Sequence, residues 1–200
     1  MITKKGYKAA SVLAVMAIVL SPVAAGAAVD TKSTTINATI GSTISMTTSA
    51  TVAIGITPAS SGAASSASDT VTVATNNATG YNLTLADTDA TTTLVNGANT
   101  IAAHAGTFAA PSTLANNSWG FRVDSAGTFG AGPTIAQTNQ ANLSGTWAGV
   151  PATGSAVTLK TTGATTAGDA TTVWYGVKAD TTKPSGVYTD SVTYTATTNP

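Results

Sequence analysis

The chain has no cysteine and no glutamate, one histidine and one arginine among its 200 residues, and only 8% of it is charged. Each shortage excludes something. Without cysteine there is no disulfide, no thiolate nucleophile and no lipid-modified cysteine to serve as an anchor. Without glutamate, and with His104 as the lone imidazole, few groups can move protons near neutral pH. Zinc needs several His, Cys or carboxylate ligands close together, and no such cluster is present. No serine sits in a Gly-x-Ser-x-Gly turn. Catalytic residues, a metal and a cofactor are therefore not expected, and the chain reads as a non-enzyme. Long apolar runs are equally scarce. The only one is 9–20, which is too short to span a bilayer comfortably.

That run has the layout of an export signal. Lys4, Lys5 and Lys8 precede it, Ser21-Pro22 breaks it, and Ala25-Gly26-Ala27 supplies small residues for cleavage. The expectation is a signal peptide over 1–27, cleaved near Ala27. Export without disulfides is common in bacteria and unusual for small eukaryotic secreted domains. No second apolar run and no LPxTG-like sorting signal follows. The mature chain is thus expected outside the cell, released or held non-covalently at the cell surface, with no membrane contact after cleavage. Eight aspartates against Lys32, Lys160, Lys178, Lys183 and Arg122 leave residues 28–200 with a charge near −3. No basic patch exists to draw phosphates, so nucleic acid is not an expected partner.

What the chain does have is threonine, 41 residues of it, with Ala, Gly, Ser and Asn. The branched threonine side chain suits a pleated surface. Period-two alternation recurs along 28–200, and helical periodicity is absent. Candidate strands lie at 33–40, at 51–57 (Val52, Ile54 and Ile56 on one face), and at 70–75 (Val71, Val73). Further candidates are 81–86 (Tyr81, Leu83, Leu85) and 118–124 (Trp119, Phe121, Val123). The last three are 156–161 (Val157, Leu159), 171–180 (Val173, Tyr175, Val177, Ala179) and 188–197 (Tyr188, Val192, Tyr194, Ala196). The turn at 76–80 is expected to join a hairpin, and Pro184-Ser185-Gly186 a closing one. Asn96-Gly97 between 92–95 and 100–103 signals a two-residue type I′ turn. The Ser/Ala/Gly stretch 60–68 reads as a flexible linker, and 125–154 as a long irregular excursion. The expectation is one all-β domain over 28–200, an antiparallel two-sheet β-sandwich of immunoglobulin or jelly-roll kind.

Few side chains invite a functional reading. Asp87-Thr88-Asp89 could offer two oxygens to calcium, although Asp-x-Asp is also frequent in turns. His104, in a loop-like Ala-Ala-His-Ala-Gly, reads as structural or exposed. Trp119 and Tyr175 fall on inward faces. Trp174 points the other way and is either a contact residue or covered by the 125–154 excursion. Trp147 lies in a Gly-rich loop and is a second candidate contact.

The end of the chain, 171–200, resembles the WxL domain. Tyr188, Val192, Thr193 and Pro200 match that family's closing pattern, with Tyr194 at its Trp position and Ala196 at its Leu position. Trp119-Gly120-Phe121 is similar to the Trp-x-Leu signature, with Phe for Leu. The last strand also resembles the closing strand of spore-coat-U and fimbrial sandwiches, where a Gly-x-Tyr opens it. The WxL resemblance implies an exported, non-enzymatic bacterial surface protein held non-covalently on the cell wall, with peptidoglycan or another surface glycan as partner. On that reading Trp119, Phe121, Trp174, Tyr188 and Tyr194 would contact the wall or a partner. The alternative is a self-assembling pilus-like or coat subunit, or an adhesin, in which the strand at 30–40 pairs with a neighbour's open sheet edge.

Overall fold

The computed structural model describes residues 28–124 and 126–200; the expected signal peptide, 1–27, lies outside them. All regular structure among the described residues is β. The strands are β1 (Ile44–Thr47), β2 (Ala63–Thr75), β3 (Tyr81–Asp87), β4 (Thr93–Asn96), β5 (Asn99–Ala103), β6 (Ser118–Val123), β7 (Val157–Thr161), β8 (Thr166–Ala179) and β9 (Val192–Thr198). They form a six-stranded sheet, β1-β2-β8-β6-β5-β4, and a three-stranded sheet, β7-β3-β9. Every pairing is antiparallel except β5 with β6. The expected all-β, two-sheet sandwich is therefore the fold. All nine strands belong to one compact unit, Ile40–Pro200, which begins later than the expected boundary at 28. The expected strand at 33–40 carries no regular structure, and residues 28–40 are exposed throughout.

The alternation in sequence becomes the core. Val71 and Val73 of β2, Tyr81, Leu83 and Leu85 of β3, Trp119, Phe121 and Val123 of β6, Leu159 of β7, and Val173, Tyr175 and Val177 of β8 are all buried in one cluster between the sheets. Each large apolar side chain removed from water contributes about 1.5–3 kcal/mol, so no disulfide is needed. A polar latch joins the layers at one end. The β8 carboxylate Asp169 accepts hydrogen bonds from the Tyr81 hydroxyl at 2.9 Å and from Lys160 Nζ at 2.6 Å. Tyr81 and Lys160 belong to the other sheet. Burial, the bond to Asp169 and its charge push the Tyr81 phenol up to about 12.

Four local expectations are corrected. The stretch 60–68 is no linker: from Ala63 onward it is the first half of β2, with Ala63 to Ser66 buried. Its small side chains let another backbone come close. Ala64 N–H donates to Gln140 O at 2.7 Å, and Ser66 N–H to Gln137 O at 2.8 Å. The turn at 76–80 closes no hairpin, because β2 and β3 lie in different sheets. The same holds for 180–191 between β8 and β9. In both places the connection carries the chain across the sandwich, and period-two alternation cannot tell a hairpin from such a crossing. The β4–β5 hairpin does form, but its central residues are Gly97 and Ala98. Only Gly97 has positive φ, +58°, so it is not the type I′ turn, which needs positive φ at both.

The 125–154 excursion has no ladder strand among its described residues, only isolated bridges at Gln140, Trp147 and Ala148, but it builds a second core on the outer face of the six-stranded sheet. Leu143 and Trp147 pack there with Ala64, Leu114 and Trp174. Glycines make the floor. Gly120 of β6 pairs with Gly176 of β8. A Cβ on Gly120 would stand 2.3 Å from Ala148 O, and one on Gly176 would stand 2.8 Å from the Trp147 ring. This second layer is why β6 is buried on both faces.

Candidate functional surface

Most of the residues nominated for contact turn out to be inside. Trp119 and Phe121 are in the main core and Trp174 in the second one. Trp174 also donates its indole N–H to Asp124 Oδ2 at 3.2 Å, and Trp119 donates its own to Thr92 O at 3.2 Å. Trp147, read from its Gly-rich surroundings as a contact residue, is fully buried. All four rings are buried. Tyr188 and Tyr194 remain half-buried. Tyr188 O–H donates to Pro184 O at 2.9 Å, and the Tyr194 and Tyr175 hydroxyls lie 2.7 Å apart.

Nothing in the residue pattern points to the role of Arg122. The lone arginine is fully buried beneath the excursion. Its guanidinium donates to Asp124 Oδ1 at 3.2 Å and to the carbonyls of Thr146, Phe129 and Gly130 at 3.3, 3.3 and 3.0 Å. It also faces the Phe129 and Trp147 rings at 5.9 and 6.0 Å. One carboxylate, three carbonyls and two π faces replace the water that a buried cation loses. Gly145 fits the cage with φ +75°, and a Cβ there would stand 1.6 Å from Nη1. Arg122 is thus the post around which the excursion is wound.

His104 is also structural. Its Nδ1 accepts the Ala115 N–H at 3.3 Å, so Nε2 carries the proton and donates to Ser112 Oγ at 2.9 Å. A serine nucleophile needs a histidine that accepts its proton, and this pairing runs in the opposite sense. Burial holds the imidazole pKa below its ordinary value, which keeps it neutral.

The aspartates gather at one end of β3. Asp87 Oδ1 accepts the Asp89 N–H at 3.1 Å, and Asp89 Oδ1 the Thr91 N–H at 2.6 Å. These are turn-forming contacts. Asp190 approaches Asp87 from the segment before β9, and burial with the Asp87 and Asp89 charges pushes its carboxyl up to about 6. Among the described residues no group of three or more His, Cys, Asp or Glu side chains is placed to hold a metal ion.

One margin of the sandwich is unlike the rest. β1 ends early because Asp69 intercepts the chain. The Asp69 carboxylate accepts the Thr48 hydroxyl and, at 3.0 Å, the Ser49 N–H. Burial would raise its pKa, but these bonds outweigh that and hold it low. Residues 51–57 then run on with strand-like alternation: Val52, Ile54 and Ile56 are half-buried, and their neighbours are exposed. Val52 and Ile54 pack on the main core. Yet 51–57 belongs to no ladder, and no backbone group from 50 to 56 bonds to another backbone group among the described residues. β9, the end strand of the smaller sheet, approaches β1 within 8 Å between Cα atoms and pairs only with β3. Its inward row, Val192, Tyr194 and Ala196, is only half-buried, whereas Leu83 and Leu85 on β3 are completely buried. Both 51–57 and β9 are thus less covered than β3.

An all-β two-sheet sandwich with one under-covered margin is the class that the fold and this surface define. Compared with known proteins, the chain matches no family model, and neither the curated proteins nor the solved structures give a significant match.

Proposed function

We propose that this chain is a secreted, non-enzymatic bacterial surface protein that serves as a structural subunit, associating with copies of itself by adding a strand at the margin formed by 51–57 and β9. The observation that carries this reading is the margin itself. Two apolar rows face inward and both are half-buried; the 51–57 backbone has no strand partner, and β9 has one on one side alone, β3. An extended chain laid there would satisfy the free amides and carbonyls and cover both rows, which is how strand addition derives affinity and specificity. The hydroxyl-rich, charge-poor exterior fits close packing of neighbours. Attachment to wall peptidoglycan through Trp119, Phe121 and Trp174 is the less favoured reading, because those rings serve the two cores.

Sedimentation velocity on residues 28–200 at rising concentration tests the proposal. The expected result is growth in mass that Val52→Lys abolishes while the circular dichroism spectrum is kept. A lysine at this half-buried position can lead its ammonium to water and blocks the incoming strand by charge. Monomer at every concentration, together with salt-resistant co-sedimentation on peptidoglycan sacculi, would overturn it in favour of wall binding.

A further inference from the structure

We infer that Asp87 and Asp190 form a proton-operated clasp, separate from any self-association, that holds the 180–191 crossing against the end of β3 and the β4–β5 hairpin in acid and lets it go as the pH rises to neutral. Asp87 continues the inward row of β3 after Tyr81, Leu83 and Leu85, and it is only 1% exposed. It pairs with Val192, so Asp190, two residues before Val192, is its diagonal neighbour across the two strands. Each carboxylate has one oxygen committed. Asp87 Oδ1 accepts the Asp89 N–H at 3.1 Å, and Asp190 Oδ1 accepts the Ser191 N–H at 2.8 Å. The other two oxygens, Asp87 Oδ2 and Asp190 Oδ2, are shut off from water and meet no donor. The two side chains lie within hydrogen-bonding reach of each other. Hidden acceptors without a donor are costly, and two charged carboxylates side by side also repel. One proton removes both faults, because it turns one oxygen into the donor to the other.

No cation stands ready to do the same. The segments joined here by main-chain bonds, 87–96, 151–153 and 188–192, carry Asp87, Asp89, Asp190 and Tyr188 as their only titratable side chains. Trp119, which donates to Thr92 O, adds no charge. The crossing's own Lys183 is held at Thr100 O, at 2.7 Å, and Asp180 by Asn116 and Asn117. The ties beside Asp190 are few. Thr189 exchanges two main-chain bonds with Val95 of β4, at 2.9 and 3.0 Å, and Thr88 N–H donates to Ser191 O at 3.0 Å. These bonds flank Asp190, so repulsion between its charge and those of Asp87 and Asp89 pulls directly on them. Release bares Tyr188 and Leu94, which are half-buried and pack against the main core. Acid thus hides an apolar surface that neutral pH presents.

Amide hydrogen exchange followed by NMR on residues 28–200 tests the clasp. The Asp190 carboxyl stands at about 6 when closed, against the ordinary 3.8 that release restores. Linkage then makes opening about tenfold more frequent at pH 7.5 than at pH 5. After correction for the intrinsic pH dependence of exchange, the amides of Thr88, Val95 and Thr189 should show that rise. At both pH values they should open far more often than the core amide of Phe121. Asp190→Asn keeps the side chain's shape without the charge, and it should abolish the rise while the fold persists. No rise in the parent, or a rise that survives Asp190→Asn, would overturn the clasp. Opening of the three amides no more often than Phe121 would overturn it too, because the proton would then act on the whole fold and not on the crossing.

Discussion

The two flanks of this sandwich are built from the same residue types and end up differently. On one flank β6, with the first residues of β2 and the second half of β8, is covered on both faces, by the small sheet within and by the Arg122-centred excursion without. On the other, 51–57 and β9 present equally regular apolar rows that remain half in water. The difference shows that alternation sets which side chains face inward, whereas burial requires something to lie against them. Threonine, valine and tyrosine at period two are present in both places. Only the first flank has a second layer to press on them.

Substitution by charge should separate the two flanks most sharply. Val173 is fully buried on β8, and Val173→Asp would strand a carboxylate in the core. Its cost, more than about 4 kcal/mol, should leave the chain unfolded by circular dichroism. Val192 on β9 is half-buried. Val192→Asp should leave a folded protein, destabilised by about 1–2 kcal/mol in urea titrations. The sequence alone predicts unfolding for both, and equal losses would remove the distinction between the flanks.

The next effect concerns the covered flank alone. Arg122→Ala removes the cation but leaves Asp124 and three carbonyls facing its place, at a cost of about 3–5 kcal/mol. Gly145→Ala should imitate it, since its Cβ would meet the guanidinium at a positive φ. If the excursion were merely a loose loop, protease cleavage between 125 and 150 would be as fast in the parent as in these variants.

Acidity should act on the flanks with opposite sign. Burial alone would raise the Asp169 pKa, but the bonds from Lys160 and Tyr81 outweigh it and lower it. Its stabilisation is present above the ordinary carboxylate range and is lost as pH falls through the depressed value. Asp190 is raised from the ordinary 3.8 to about 6. Its favourable, protonated contribution is complete below about 3.8 and lost as pH rises through about 6. Thermal melts at pH 5 and 7.5 should therefore show Asp190→Asn stabilising relative to the parent at both, and by more at the higher pH. Asp169→Asn should destabilise at both. The smallest effect is Tyr194→Phe, which removes one of two bonded hydroxyls at the margin and should cost about 1 kcal/mol in a urea titration.

Much of this was legible in the residues. The inward faces of β3, β6, β7 and β8 follow from alternation, and the excursion from its absence. The 60–68 stretch was misread because small residues signal flexibility in isolation. Here they are what allows the backbone of Gln137–Gln140 to cross close by. Trp147 was misread for the same reason: a glycine-rich neighbourhood looks open, yet Gly120, Gly145 and Gly176 are the hollows that let the ring and Arg122 in. The margin could be seen only in part. The row at 51–57 is plain in sequence, but its lack of a partner is set by Asp69 capturing Ser49, a contact across twenty residues.

By itself the sequence determined that the fold is all-β and which side chains alternate inward, because a strand's period is a local property of the backbone and needs no partner. Only the tertiary structure decided which strands share a sheet, which aromatic rings are inside, and which margin stays uncovered. Those depend on contacts between residues far apart in the chain, and local alternation reads the same whether the opposing layer is present or not.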